Sequence, residues 1–119
     1  MTGRKINRSN SEHYVWADVC DGWRLLDGQD LSVIDEEMPP GAREIRHVHA
    51  HANQLFFVLH GTLTIEIEGD MVHLSASDAC NVKPGQKHQA QNASRESVRF
   101  LVISAPTTRG DREPAPRDS

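Results

Sequence analysis

The sequence predicts an all-β domain of antiparallel strands, a sandwich or a barrel, and three observations carry that reading. Residues 62–68 alternate polar and apolar at period 2, the mark of a strand with one buried face. The turn residues Gly69-Asp70 follow, and Met71-Val72-His73-Leu74 resumes the alternation, so the two segments form a hairpin. No segment holds a sustained 3.6-residue apolar period with caps, so nothing in the chain calls for a helix. Many short strands without helices between them oppose an α/β class.

Taken in order, residues 1–11 are polar and aperiodic and form a loose arm. Strands are expected at 13–17, 23–26, 31–38 and 45–50, separated by Gly22, Gly28 and Pro39-Pro40-Gly41. Residues 54–59 are a dense apolar run that suits a strand covered on both faces, and 98–103 are a second, rich in β-branched residues. Weaker strands are expected at 80–83 and 87–92 around Pro84-Gly85. Residues 12–104 therefore make the domain. Residues 105–119, with three prolines and alternating charges, read as a disordered or surface-draped tail, and the Arg-Gly-Asp at 109–111 as a chance tripeptide.

At 119 residues there is room for one core. A net charge of -4 and a pI near 5.9 provide no basic footprint, which opposes nucleic acid as a partner. No apolar run approaches the ~20 residues that span a bilayer, and the start lacks the apolar stretch of a secretory signal. Cys20 and Cys80 are too few for a disulfide framework and read as thiols in a reducing cytoplasm.

The seven histidines are unevenly placed. His47, His49 and His51 recur at period 2, and on an extended strand such residues share a face, so His47 and His49 can reach one ion together. Imidazole suits zinc, nickel, iron and manganese. A His-x-His pair alone is equally a pair of solvated or core histidines.

The wider pattern narrows this. Gly41-x5-His47-x-His49-x4-Gln54-x6-Gly61 resembles the first motif of the cupin family, with Gln where that motif has Glu. Ser77-Asp78-x4-Lys83-Pro84-Gly85-x2-His88-x3-Asn92 resembles the second, with Ser77 at its leading glycine and the proline displaced by one residue. The resemblance implies a double-stranded β-helix, a jelly-roll barrel, holding one divalent ion per chain (Zn, Ni, Mn or Fe) through His47, His49, Gln54 and His88. Gln54 in place of Glu leaves the site one negative charge short, which strengthens the ion as a Lewis acid and removes a built-in base. His51 is the expected substitute base near the barrel mouth.

Phe56 and Val58 share parity with Gln54 and should wall the pocket, or simply fill the core. Phe57 and Leu59 should face the other way, into inter-sheet packing or a homodimer interface. Arg43 shares parity with His47, as a substrate-carboxylate anchor or as an exposed turn residue. The expected function is Lewis-acid chemistry on a small anionic metabolite, of isomerase, lyase or ring-opening type. An Fe(II) dioxygenase and a non-catalytic small-molecule binder or sensor are the alternatives.

Overall fold

The computed structural model describes residues 3–117; residues 1–2 of the expected arm and 118–119 of the expected tail lie outside them. The strands are β1 (Glu12–Trp16), β2 (Cys20–Asp27), β3 (Ser32–Met38), β4 (His47–Val48), β5 (Asn53–His60), β6 (Leu63–Ile67), β7 (Asp70–Leu74), β8 (Ala79–Val82), β9 (His88–Gln91), β10 (Val98–Ala105) and β11 (Glu113–Pro114). They form two antiparallel sheets, ordered β1-β2-β3-β10-β5-β8 and β11-β4-β9-β6-β7. The described residues contain no helix. This is the double-stranded β-helix.

The core lies between the sheets. Met38, Phe56, Val58, Val98 and Phe100 from the first meet Leu63, Ile65, Leu74 and Ala90 from the second. The β6–β7 hairpin turns at Glu68-Gly69, one residue earlier than the Gly69-Asp70 expected. Both turn residues have positive φ, 49° and 92°, which matches the twist of a two-residue hairpin and is unstrained only at the glycine. Gly61 is fixed by space as well as by its φ of 86°. A Cβ there would stand 2.7 Å from the Ser97 carbonyl oxygen.

Residues 54–59 are covered on one face, not on both. Gln54, Phe56 and Val58 are buried, whereas Leu55 and Leu59 are 37% and 39% exposed. The reason lies in the sheet order: β5 runs between β10 and β8, and its outer face has no second layer over it among the described residues.

Segments near both ends of the described residues are tied to the barrel. Arg8 lies over the Trp23 ring at 3.8 Å, and its Nε and Nη2 reach Asp35 at 3.1 and 3.0 Å. Arg99 grips the same carboxylate at 3.2 and 2.7 Å. At the other end, β11 pairs with β4 through Glu113↔Val48 and Pro114↔His47. That short edge strand tolerates Pro114 because proline needs only a position where no donor is required. The expected 45–50 strand is reduced to His47–Val48, because the backbone N–H groups of residues 50–52 donate to the Asp111 carboxylate instead.

Candidate metal centre

Two sheets converge on one point. β4 carries His47 and β9 opens on His88, its Cα partner in the same sheet. His49 follows β4 in the loop, where its carbonyl accepts the Gly85 N–H at 2.8 Å, joining the two histidine-bearing segments. Gln54 comes from β5 in the opposite sheet and faces inward at the period-2 spacing shared by Phe56 and Val58.

The imidazoles of His47, His49 and His88 are all buried, and one ring nitrogen from each lies within 4.8 Å of the others. Ring centroids stand 4.4 Å apart for His47–His88, 4.8 Å for His47–His49 and 5.4 Å for His49–His88. Each Nδ1 is committed to a backbone carbonyl: His47 to Ile45 at 2.7 Å, His88 to Gln86 at 3.0 Å, and His49 to Asp111. A carbonyl only accepts, so Nδ1 carries the proton and each Nε2 keeps its lone pair for another partner. Burial lowers the basicity of all three, to about 3 for His47 and about 4 for His88. The rings are therefore neutral at ordinary pH, the state in which imidazole ligates a metal.

Gln54, from the facing sheet, shares the cavity wall with His47 and His49. The Gln54 side-chain N–H donates to Ser104 Oγ at 3.1 Å, and its Oε1 is buried with no hydrogen-bond partner. His88 Nε2 is likewise buried and unpartnered. An orphaned buried polar atom costs about 1–3 kcal/mol, and here two of them, a carbonyl oxygen and an imidazole nitrogen, sit among residues with matching chemistry. Three imidazoles and one amide oxygen fit a borderline divalent ion.

His47, His49 and Gln54 open on a cavity of about 100 Å³. His47, His49, Gln54 and Phe56 line it, together with Glu36, Glu44, Thr108 and Arg112, none of which the sequence singled out. Glu44 is buried and accepts the Ala90 N–H at 2.8 Å, and burial pushes its carboxyl up to about 7. Burial, followed by the charge of Glu44, pushes the Glu36 carboxyl well above the usual range. Arg112 is exposed and makes no ion pair among the described residues.

Three expected site residues lie elsewhere. His51 is exposed and absent from the cavity wall; its backbone N–H, not its ring, is engaged, donating to Asp111 Oδ2 at 3.0 Å. Val58 is fully buried in the core, beyond the cavity lining. Arg43 is exposed beside Ile45 and Pro114 on another face. The parity linking Arg43 to His47 fails because residues 44–46 are not a strand. Glu44 and His47 therefore both face inward from three residues apart.

The missed residues had little to betray them. Glu36 shares parity with Ile34 and Met38 in β3 but is hidden in the acidic run Asp35-Glu36-Glu37. Thr108, Asp111 and Arg112 fall in a proline-rich polar segment with no period to read. The tripeptide set aside as chance contains the residue that caps the His49 loop.

Residues 34–104 match the family model described as Cupin domain. Among curated proteins, the chain is 26% identical over 70 residues to the tetracenomycin polyketide synthase protein TcmJ of Streptomyces glaucescens, covering 59% of this chain and 47% of that one. It is 25% identical over 67 residues to an oxalate-binding protein of Thermotoga maritima, covering 56% and 55%. The chain thus spans about half the length of the curated relatives it matches. Its fold is shared with the structure of KdgF from Halomonas sp., at a TM-score of 0.79 and 20% identity over 89% of this chain and 96% of that one.

Proposed function

The chain belongs to the cupin domain family, and from that membership we propose that it is a metal-dependent enzyme acting on a small carboxylate. The observation that carries the reading is one cavity lined by His47, His49 and the orphaned Gln54 Oε1 together with two carboxyl groups and the Arg112 guanidinium, with the orphaned His88 Nε2 in the adjoining histidine cluster. His47, His49, Gln54 and His88 would hold one divalent ion, Zn, Ni, Mn or Fe. Bound there, the ion supplies positive charge to polarise a carbonyl or carboxylate oxygen.

The remaining roles fall to the chain's own residues. Arg112, at the cavity wall with no ion pair among the described residues, presents a planar fork to the substrate carboxylate. Glu36 and Glu44 replace His51 as the groups that take and return a proton, since both line the cavity and neither forms an ion pair with a lysine or arginine among the described residues. Phe56 closes the inner wall, its ring centroid 6.3 Å from that of His88. The reaction class is proton transfer next to a polarised carbonyl: isomerisation, lyase chemistry or hydrolytic ring opening.

Size limits the substrate. A cavity of ~150 Å³ takes one benzene ring, so a cavity of about 100 Å³ suits an oxo-acid or dicarboxylate of a few carbons. A polycyclic substrate would extend out of it. The oxalate-binding relative supports that class, and also supports a second reading, a protein that holds the carboxylate without transforming it.

The test is metal analysis followed by proton exchange. The purified protein should carry an ion, and added Mn, Ni, Fe or Zn should raise its melting temperature. Loaded protein should then exchange the α-protons of a small oxo-acid for deuterium under anaerobic conditions. Binding without exchange selects the second reading, while turnover only with oxygen selects the Fe(II) dioxygenase. Absence of both metal content and a thermal shift would sink the metal-based readings.

We propose separately that the protein is a cytoplasmic homodimer. No helix among the described residues is long and apolar enough to cross a membrane. Leu55, Phe57 and Leu59 lie on the outer face of β5, Phe57 opposite Leu101 and Leu55 opposite Ile103 on β10. Burying that apolar strip against a second copy is favourable by about 25 cal/mol per Å². Sedimentation showing only monomer would contradict it.

A further inference from the structure

We propose that Asp111 is the positioning residue of the metal centre, coupling the docked C-terminal segment to His49; this rests on the metal-binding reading above. The backbone and side chain of Asp111 act on the same loop from outside. Its carbonyl oxygen accepts the His49 Nδ1–H, which holds the ring in the tautomer that turns Nε2 toward His47 and His88. Its carboxylate accepts three consecutive backbone N–H groups, from Ala50 at 2.7 Å, His51 at 3.0 Å and Ala52 at 2.9 Å. Those three residues join His49 to β5, the strand that carries Gln54. One side chain therefore fixes the path between two ligands that lie in different sheets.

Asp111 is itself held by the segment around it. Its N–H donates to the Thr108 carbonyl at 3.0 Å, and the Ala115 N–H donates to the Arg46 carbonyl at 2.9 Å. Arg46 Nη1 returns a bond to the Ala115 carbonyl at 2.8 Å. Arg109 pairs with Asp27 through bonds of 3.2 and 3.0 Å. Thr108 and Arg112, on either side of Asp111, line the cavity. Docking the segment thus completes the cavity wall and sets His49 in one event. Coupling is reciprocal: if docking strengthens metal binding, metal binding strengthens docking by the same factor.

The experiment compares the full-length chain with its Asp111→Ala and Asp111→Asn variants. Affinity for Zn(II) and Ni(II) is measured by competition with a chelator, and amide hydrogen exchange is followed at residues 50–52, 111 and 115 with and without metal. Asp111→Ala keeps the carbonyl that accepts from His49 but releases the loop that the carboxylate holds, so a loss of about 10-fold in metal affinity, the low end for an outer partner, is expected. Asp111→Asn should fall between, because its amide oxygen still accepts while its NH2 opposes the converging N–H groups. Metal should slow exchange at 111 and 115 in the wild type and have less effect in Asp111→Ala. A wild type that binds metal, with an Asp111→Ala variant of equal affinity and equal exchange response, overturns the role of Asp111 and leaves the metal site standing. A wild type that binds neither ion overturns the metal reading itself, and this coupling with it.

Discussion

Gln54 and Ser104 stand opposite each other on the paired strands β5 and β10, and the Gln54 side-chain N–H donates to the Ser104 hydroxyl at 3.1 Å. That bond occupies the nitrogen end of the amide and leaves Oε1 buried without a partner. Both side chains sit on the inner face because their strands keep a strict period of 2 in this stretch. The amide of the residue that departs from the family pattern is thus oriented by a residue fifty positions downstream.

Gln54→Glu should convert the site to the anionic set of the usual motif. Ser104 can donate to the new carboxylate, so the local bond survives with its direction reversed. Placing a negative charge on a divalent ion should tighten binding about tenfold or more. Chelator competition on the two proteins measures this. Equal or weaker affinity in the Glu variant would show that position 54 does not touch the ion.

His88→Ala should abolish metal binding at little cost to the apoprotein. His88 is fully buried and its Nε2 has no partner, so truncation removes a desolvated orphan while opening a void. The orphan costs about 1–3 kcal/mol, of the same order as the packing lost, and the two largely cancel. The expected outcome is a near-unchanged apoprotein melting temperature with no thermal shift on adding Zn(II) or Ni(II). Full metal occupancy in the variant would remove His88 from the ligand set.

A pH effect is expected away from the site. Glu66 is buried and accepts Arg46 Nε and Nη2 at 2.7 and 3.1 Å and the Gly69 N–H at 2.7 Å, and Arg46 above all holds its carboxyl down to about 2. An unfolded Glu titrates near ~4.3, so the folded state binds the proton less readily. The stabilisation is then fully present above ~4.3 and is lost as pH falls through about 2. Glu66→Gln should be less stable than wild type by about 2–3 kcal/mol at neutral pH, with the gap closing at low pH. Urea unfolding near neutrality and again in the acid range tests the sign.

The strand map was legible because it depends on local alternation. Residues 62–68 and 98–103 needed only the period and the turn residues around them, and β6 and β10 fall within two residues of those bounds. The clustering of His47, His49 and His88 was legible because two motifs hold fixed spacings around tight turns. What could not be read depends on long-range placement. Arg43 was misplaced because an irregular stretch at 44–46 breaks the parity that a straight strand would keep. Asp111 could not be seen at all. Its value lies in accepting N–H groups some sixty positions earlier, and a polar residue between a glycine and an arginine carries no trace of that partner.

Arg112 should decide affinity for the carboxylate without affecting the fold. It is exposed, lines the cavity and makes no ion pair among the described residues, so Arg112→Ala breaks no ion pair and removes only the pull of its charge on the Glu36 and Glu44 carboxyls. A charge-assisted bidentate contact contributes about 1.5–3 kcal/mol, equivalent to roughly 10- to 100-fold in Kd. Titration of oxalate and malonate into metal-loaded protein should show that loss, with the melting temperature of the apoprotein unchanged. Arg112→Lys should recover only part of it, because an ammonium keeps the charge but not the planar fork. The contact is near solvent, so the wild-type affinity should also fall as salt rises, and that slope should flatten in Arg112→Ala. Equal Kd values for wild type and Arg112→Ala would place the carboxylate on the ion alone and leave Arg112 as a bystander at the cavity wall.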